Sequence, residues 1–195
     1  QASEPYDEQA RPAPQSVYAA SKLLGEWFAL ELPRAYVLRV ESLFGTPRGW
    51  RGRRGTLDGI VSGVEAGAEV RVFTDRVVSP SYTDDVAAAT RYLVTHQAAA
   101  GLYHCVNSGH ATWHDVAQEV ARLLGCTPRL VPMTMGQVAM KAKRPLYCAL
   151  SNARLKEAGL TDDDRLTCRL RLEVEHGVHG VVRMLHDGPP VALHS

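Results

Sequence analysis

Between Val17 and Leu32 the large apolar residues Leu23, Leu24, Trp27, Phe28 and Leu30 recur at helix-compatible spacing, and Pro33 stops the run. Ser16 stands where an N-cap belongs. Just past the proline, Tyr36-Val37-Leu38-Arg39-Val40 is short and apolar, suited to a parallel strand buried on both faces. A helix feeding such a strand is the α/β pattern, because each element needs the other to cover its apolar side. The alternation continues. The spacing predicts a helix over 56–66, a strand pair around Val70–Phe73 and Val77–Pro80, and a helix capped by Thr83 with Asp84 and Asp85 in its first turn. Gly101–Gly109 reads as strand then turn. Thr112 opens a helix with Val116, Val120, Leu123 and Leu124 on its apolar face, ended by Gly125. Arg129-Leu130-Val131-Pro132 reads as a short strand, and Asn152 as the cap of a helix over 153–158.

Composition matters here for what it excludes. With 45% hydrophobic and 22% charged residues over 195 positions, the chain is globular and long enough for a substantial core. A formal charge of +1 gives no reason to expect nucleic acid or a membrane as partner, and no apolar run reaches the ~18 residues of a membrane span. The 4 cysteines (Cys105, Cys126, Cys148, Cys168) form no C-x-x-C pair and read as free cytosolic thiols.

Within the first helix, Tyr18 and Lys22 are four apart and share a face. A fixed positive charge beside a phenol favours the phenolate, which makes such a pair a proton donor for a carbonyl oxygen. The bare spacing fits an ordinary amphipathic helix with an exposed lysine equally well. Elsewhere, Arg48, Arg51, Arg53 and Arg54 surround Trp50 in a glycine-rich loop, a composition that suits a diphosphate, single-stranded RNA or a plain solvated loop. Gly59, Gly63 and Gly67 recur every four residues and form no phosphate loop; small residues on one face let a helix approach its neighbour. His110 and His114 flank a helix start without the H-E-x-x-H arrangement, so no metal site is expected.

Taken together, Pro5-Tyr6-x-Glu8, Pro12-x-Pro14, and Ser16-x-Tyr18-x-x-Ser21-Lys22-x-x-Gly25-Glu26 resemble the active-site segment of extended short-chain dehydrogenases/reductases, and more narrowly the dTDP-4-dehydrorhamnose reductase branch. Further segments follow in the family's order: Arg39 to Gly45, Pro80-Ser81-Tyr82-Thr83-Asp84-Asp85-Val86-Ala87, Gly101 to Gly109, and Arg144 to Asn152. Ser42 stands where many rhamnose reductases carry tryptophan.

The resemblance implies an oxidoreductase that reduces a dTDP-4-keto-6-deoxy sugar with NADPH or NADH, acting in dTDP-rhamnose and polysaccharide biosynthesis in the cytoplasm. Tyr18 and Lys22 would be catalytic and would contact the cofactor together with Ser42 and Leu43. Ser42, Arg48, Arg51, Arg144 and Tyr147 would contact the nucleotide sugar. The implied partners are that substrate and, as one arrangement, a second copy of the chain. No G-x-G-x-x-G loop occurs anywhere. The expectation is therefore a partial doubly wound, Rossmann-like parallel sheet lacking its N-terminal half, plus a small α/β substrate-binding lobe, inactive alone. Residues 1–55 would belong to the Rossmann-like part, 56–160 mainly to the lobe with return segments, and 161–195 to an atypical tail holding half of the 8 histidines. An epimerase or dehydratase of the same superfamily, or a non-catalytic regulatory subunit, uses the same scaffold.

Overall fold

The structure is a computed structural model that describes residues 4–45 and 55–160, together with the backbone of two strands at 172–175 and 181–184. Helix α1 (Val17–Leu30) starts as expected: Ser16 is extended, and its hydroxyl accepts from the Ala19 amide at 3.2 Å. Its half-buried stripe is Ala19, Leu23, Glu26 and Ala29, which faces the rest of the chain. The opposite face is apolar and uncovered, with Trp27 59% and Phe28 68% exposed. Strand β1 (Tyr36–Arg39) is anchored to the helix by the two-pronged ion pair of Arg39 with Glu26, at 2.8 and 2.7 Å.

After β1 come β2 (Leu43–Phe44), α2 (Thr56–Glu65), β3 (Glu69–Phe73), β4 (Val77–Val78), β5 (Ser81–Tyr82) and α3 (Thr83–Thr95). The order continues with β6 (Gly101–His104), β7 (Ala111–Thr112), α4 (Trp113–Leu124), β8 (Arg129–Met133) and α5 (Ala153–Glu157), then β9 (Leu172–Glu175) and β10 (Val181–Met184). The parallel pairs are β1 with β6, β2 with β5, and β3 with β8; β4–β7 and β9–β10 are antiparallel.

Among the described residues the packing forms two apolar cores. One gathers Ala89, Leu93, Tyr103, Cys105, Leu155 and Leu160 against Tyr36 and Leu38, where α3 and α5 cover the β1–β6 pair. The other joins α2, α4 and β3 through Leu57, Ile60, Val61, Val64, Val70, Val72, Trp113, Val116, Ala117 and Val120. No helix among the described residues is long and apolar enough to cross a membrane. Cys105, Cys126 and Cys148 are free thiols; Cys168 lies outside the described residues.

Several local expectations are corrected. Strands around 70–73 and 77–80 do not pair with each other. After Phe73 the Thr74 amide still bonds Met133 O, then Asp75 turns to accept from the Met135 amide, so β4 leaves to meet β7. Thr83 is the first helical residue and its hydroxyl donates to Gly45 O at 3.0 Å, leaving Tyr82 at the cap. Asp84 and Asp85 do stand in the first turn of α3, as expected, but Asp85 is turned inward. It is fully buried and accepts from Asn107 Nδ2 at 2.7 Å. Asn152 occupies the cap position but donates its amide to Val106 O and Ser108 Oγ. Of the three spaced glycines, only Gly63 mediates close packing, since a Cβ there would stand 2.7 Å from Val70 Cγ2. Gly59 faces open space, and Gly67, at φ +61°, lies beyond the end of α2.

Candidate functional site

Because α1 presents residues four apart on one face, Lys22 Nζ lies over the Tyr18 ring, 5.4 Å from its centroid. The pair stands on the exposed side of the helix, with Tyr18 72% exposed. A groove of about 310 Å³ exists elsewhere, lined by Thr56, Ile60, residues 69–73 and Trp113; none of the expected site residues lines it.

The end of β1 builds a second constellation. Ser42 has φ +47°, and its hydroxyl donates to Glu41 Oε1 at 2.6 Å. Glu41 Oε2 accepts from the Ser79 amide at 2.8 Å, and Arg76 Nη2 lies 4.0 Å from Oε1. Burial lifts the Glu41 carboxyl above its ordinary range; the bonds from Ser42 and Ser79 and the charge of Arg76 pull the other way without cancelling it. Ser81 completes the junction, donating its hydroxyl to Glu41 O at 2.7 Å. Leu43 is half exposed on β2, directly after this cluster.

Tyr147 belongs to a third group. The segment around it runs beside β4, with the Val77 amide donating to Leu146 O at 2.8 Å and the Cys148 amide to Val77 O at 2.9 Å. Its ring meets Tyr6 edge-on at 5.8 Å and His110 at 6.2 Å. The hydroxyl is buried with no hydrogen-bond partner among the described residues. Desolvation, then Glu4 and Tyr6, push its pKa up. Arg144 is exposed, and Arg48 and Arg51 lie outside the described residues. The structure thus places Ser42 and the Tyr147 segment on elements that both join β4 or the turn after it. Tyr18 and Lys22 stand apart on α1.

Sequence reasoning passed over Glu41, Arg76 and His104. A charge placed immediately after a buried strand was the available signal for Glu41. His104 is fully buried at the end of β6: its amide donates to Glu8 Oε1 at 2.7 Å, and Nδ1 lies 3.1 Å from Tyr6 O. The loop before α1 is thereby pinned to the sheet. Burial depresses the His104 pKa, with Glu8 raising it and Arg39, 3.4 Å from Nε2, lowering it again. A histidine depressed in the folded state binds fewer protons there than in the unfolded chain. Stability conferred by neutral His104 is complete above the unfolded value of ~6.5 and is lost as pH falls below it. Urea melts across this acidic range should show that loss, and His104→Asn should flatten it. An unchanged slope in the variant removes His104 as its source.

A family model described as the RmlD substrate binding domain matches residues 1–175, past the point near residue 160 where the sequence's own motifs run out. A probable dTDP-4,6-dihydroxy-2-methyloxan-3-one 4-ketoreductase of Streptomyces antibioticus is 35% identical over 158 residues, 80% of this chain and 52% of the relative. Among solved structures, a dTDP-4-dehydrorhamnose reductase from Clostridium acetobutylicum superposes with TM-score 0.72 at 31% identity, covering 86% of this chain and 56% of that one. The Bacillus anthracis dTDP-4-dehydrorhamnose reductase, in complex with NADP, gives TM-score 0.70 at 26% identity over 80% of this chain and 53% of the other. The chain spans about half the length of the curated relatives it matches.

Proposed function

The chain belongs to the RmlD substrate binding domain family, and on that premise we propose that it forms the substrate-binding and proton-donating part of an NADPH-dependent dTDP-4-keto-6-deoxy-sugar reductase. The reaction is the conversion of dTDP-4-dehydrorhamnose to dTDP-rhamnose. The observation that supports this reading best is the Tyr18–Lys22 pair, held together on an open face of α1.

When bound, the nicotinamide cofactor supplies the hydride. Tyr18 hands its phenolic proton to the carbonyl oxygen as that oxygen gains charge, and Lys22 faces the phenolate left behind. Being exposed, both groups have room for a ribose and a sugar ketone, so the residues present fit the cofactor. Ser42, Leu43, Arg144 and Tyr147 supply contacts to cofactor and substrate. Cofactor binding needs a phosphate-cradling loop, and the sequence holds no G-x-G-x-x-G run.

Two measurements test the reading. NADPH titrated into this chain alone, followed by fluorescence, should show only weak binding. The same chain joined to the remaining part of the Bacillus anthracis relative, which was solved with NADP, should consume NADPH stoichiometrically with a dTDP-4-keto-6-deoxyhexose. Tight binding by the chain alone, or a fusion that binds NADPH yet leaves it unoxidised, overturns the proposal.

A further inference from the structure

Two described non-glycine residues have positive φ, Ser42 at +47° and Gln97 at +51°. Gln97 follows the C-cap of α3, where a left-handed residue commonly ends a helix. Ser42 ends no helix. It lies between β1 and β2, where glycine would hold the same backbone without strain. A serine kept there at a cost has a side chain in use.

The hydroxyl's surroundings say what the use is. Glu41 receives Ser42 Oγ at 2.6 Å, the Ser79 amide at 2.8 Å and the guanidinium of Arg76 at 4.0 Å, so donors face the carboxylate. The single Ser42 proton is therefore committed to Glu41, and what remains outward is acceptor capacity only. Keeping Glu41 charged is itself costly, because its side chain is only 15% exposed and the facing cation is not in hydrogen-bond range. Arg76 Nε, meanwhile, is buried without a hydrogen-bond partner among the described residues. Backbone strain, a desolvated acid and an incompletely paired cation converge on one oriented hydroxyl.

We propose that Glu41 is a positioning residue that fixes the Ser42 hydroxyl as a hydrogen-bond acceptor for one hydroxyl of the substrate's sugar ring, so that the site prefers a hexose carrying that hydroxyl over its deoxy counterpart. This rests on the reading that Ser42 faces the nucleotide sugar. Neither Glu41 nor Arg76 touches the reacting atoms in it; the selection acts on binding.

Calorimetric titration of this chain with dTDP-glucose and its 2-deoxy and 3-deoxy analogues tests it. The parent chain should bind dTDP-glucose about tenfold more tightly than one of the two analogues. Glu41→Gln and Ser42→Gly should each reduce that ratio to within about twofold, while affinity for the disfavoured analogue holds. Ser42→Gly relieves the backbone but strips a donor from a buried carboxylate. A thermal melt beside each titration, with the retained affinity for the disfavoured analogue, separates lost preference from lost folding. Equal affinities in the parent chain, or a ratio that survives both substitutions, overturns the role of Glu41 and leaves the reductase reading standing. Failure of the parent chain to bind any of the three nucleotide sugars overturns both.

Discussion

On the proposed reading, Tyr18→Phe should lower kcat of the fusion by about 10²–10⁴-fold while the KM for nucleotide sugar stays nearly constant, the range expected when a positioned general acid is removed. The structure makes this substitution a clean probe. The phenylalanine ring keeps the face over which Lys22 Nζ lies at 5.4 Å. Nothing in the core depends on the hydroxyl, since Tyr18 is 72% exposed and the helix start is capped by Ser16. A surface change of this kind costs stability within about 0.5 kcal/mol, so the melting temperature should hold. Steady-state NADPH consumption by the fusion, with a thermal melt alongside, reads both quantities. A loss smaller than about tenfold means that the proton comes from another group, and the Tyr18 assignment falls.

The elements were legible in the sequence because their signals are local. Ser16 and Thr112 cap where they should, and Thr112 forms a reciprocal box with Asp115: the Asp115 amide donates to Thr112 Oγ1 at 3.1 Å and the Thr112 amide to Asp115 Oδ2 at 3.1 Å. Gly125 ends α4 in the left-handed conformation at φ +64°. What stayed hidden is the pairing of elements distant in sequence. The register of β3 on β8 depends on partners some sixty residues away, and no local pattern distinguishes it from a hairpin with β4. Polar residues show the same limit: their positions at helix starts were legible, their partners were not. Asp85 and Asn152 carry the composition of helix starts, yet their side chains are spent on Asn107, Val106 and Ser108 across the fold. The apolar face of α1 is a different case. Its spacing reads as a core-facing helix, but among the described residues only the stripe from Ala19 to Ala29 is half-buried. The site divides along the same line: the Tyr18–Lys22 pairing follows from helix geometry alone, whereas Glu41 acquires its meaning only when Ser79 and Arg76 arrive from another strand and turn.

Asn107→Ala should be the most destabilising single substitution in this part of the molecule, at about 3 kcal/mol. Asn107 is 2% exposed and spends both ends of its amide on α3: Oδ1 accepts from the Tyr82 amide at 2.7 Å, and Nδ2 donates to Asp85 Oδ2 at 2.7 Å. Alanine removes a donor from a fully buried carboxylate, which is worse than losing an exposed contact because water cannot replace it. The position also joins two bodies of apolar packing. Cys105, two residues before it, belongs to the core under β6, while Tyr82 packs against the core of α2 and α4. For a domain of this size the loss corresponds to a fall in melting temperature of about 6–12 °C. Asp85→Ala alone should also destabilise, but the double substitution should cost less than the sum, because the buried carboxylate that lost its Asn107 donor is then absent. Urea titrations of the parent, the two single variants and the double variant give the coupling. Strict additivity, or a cost for Asn107→Ala below about 1 kcal/mol, would show that the amide is not what holds α3 to the turn after β6.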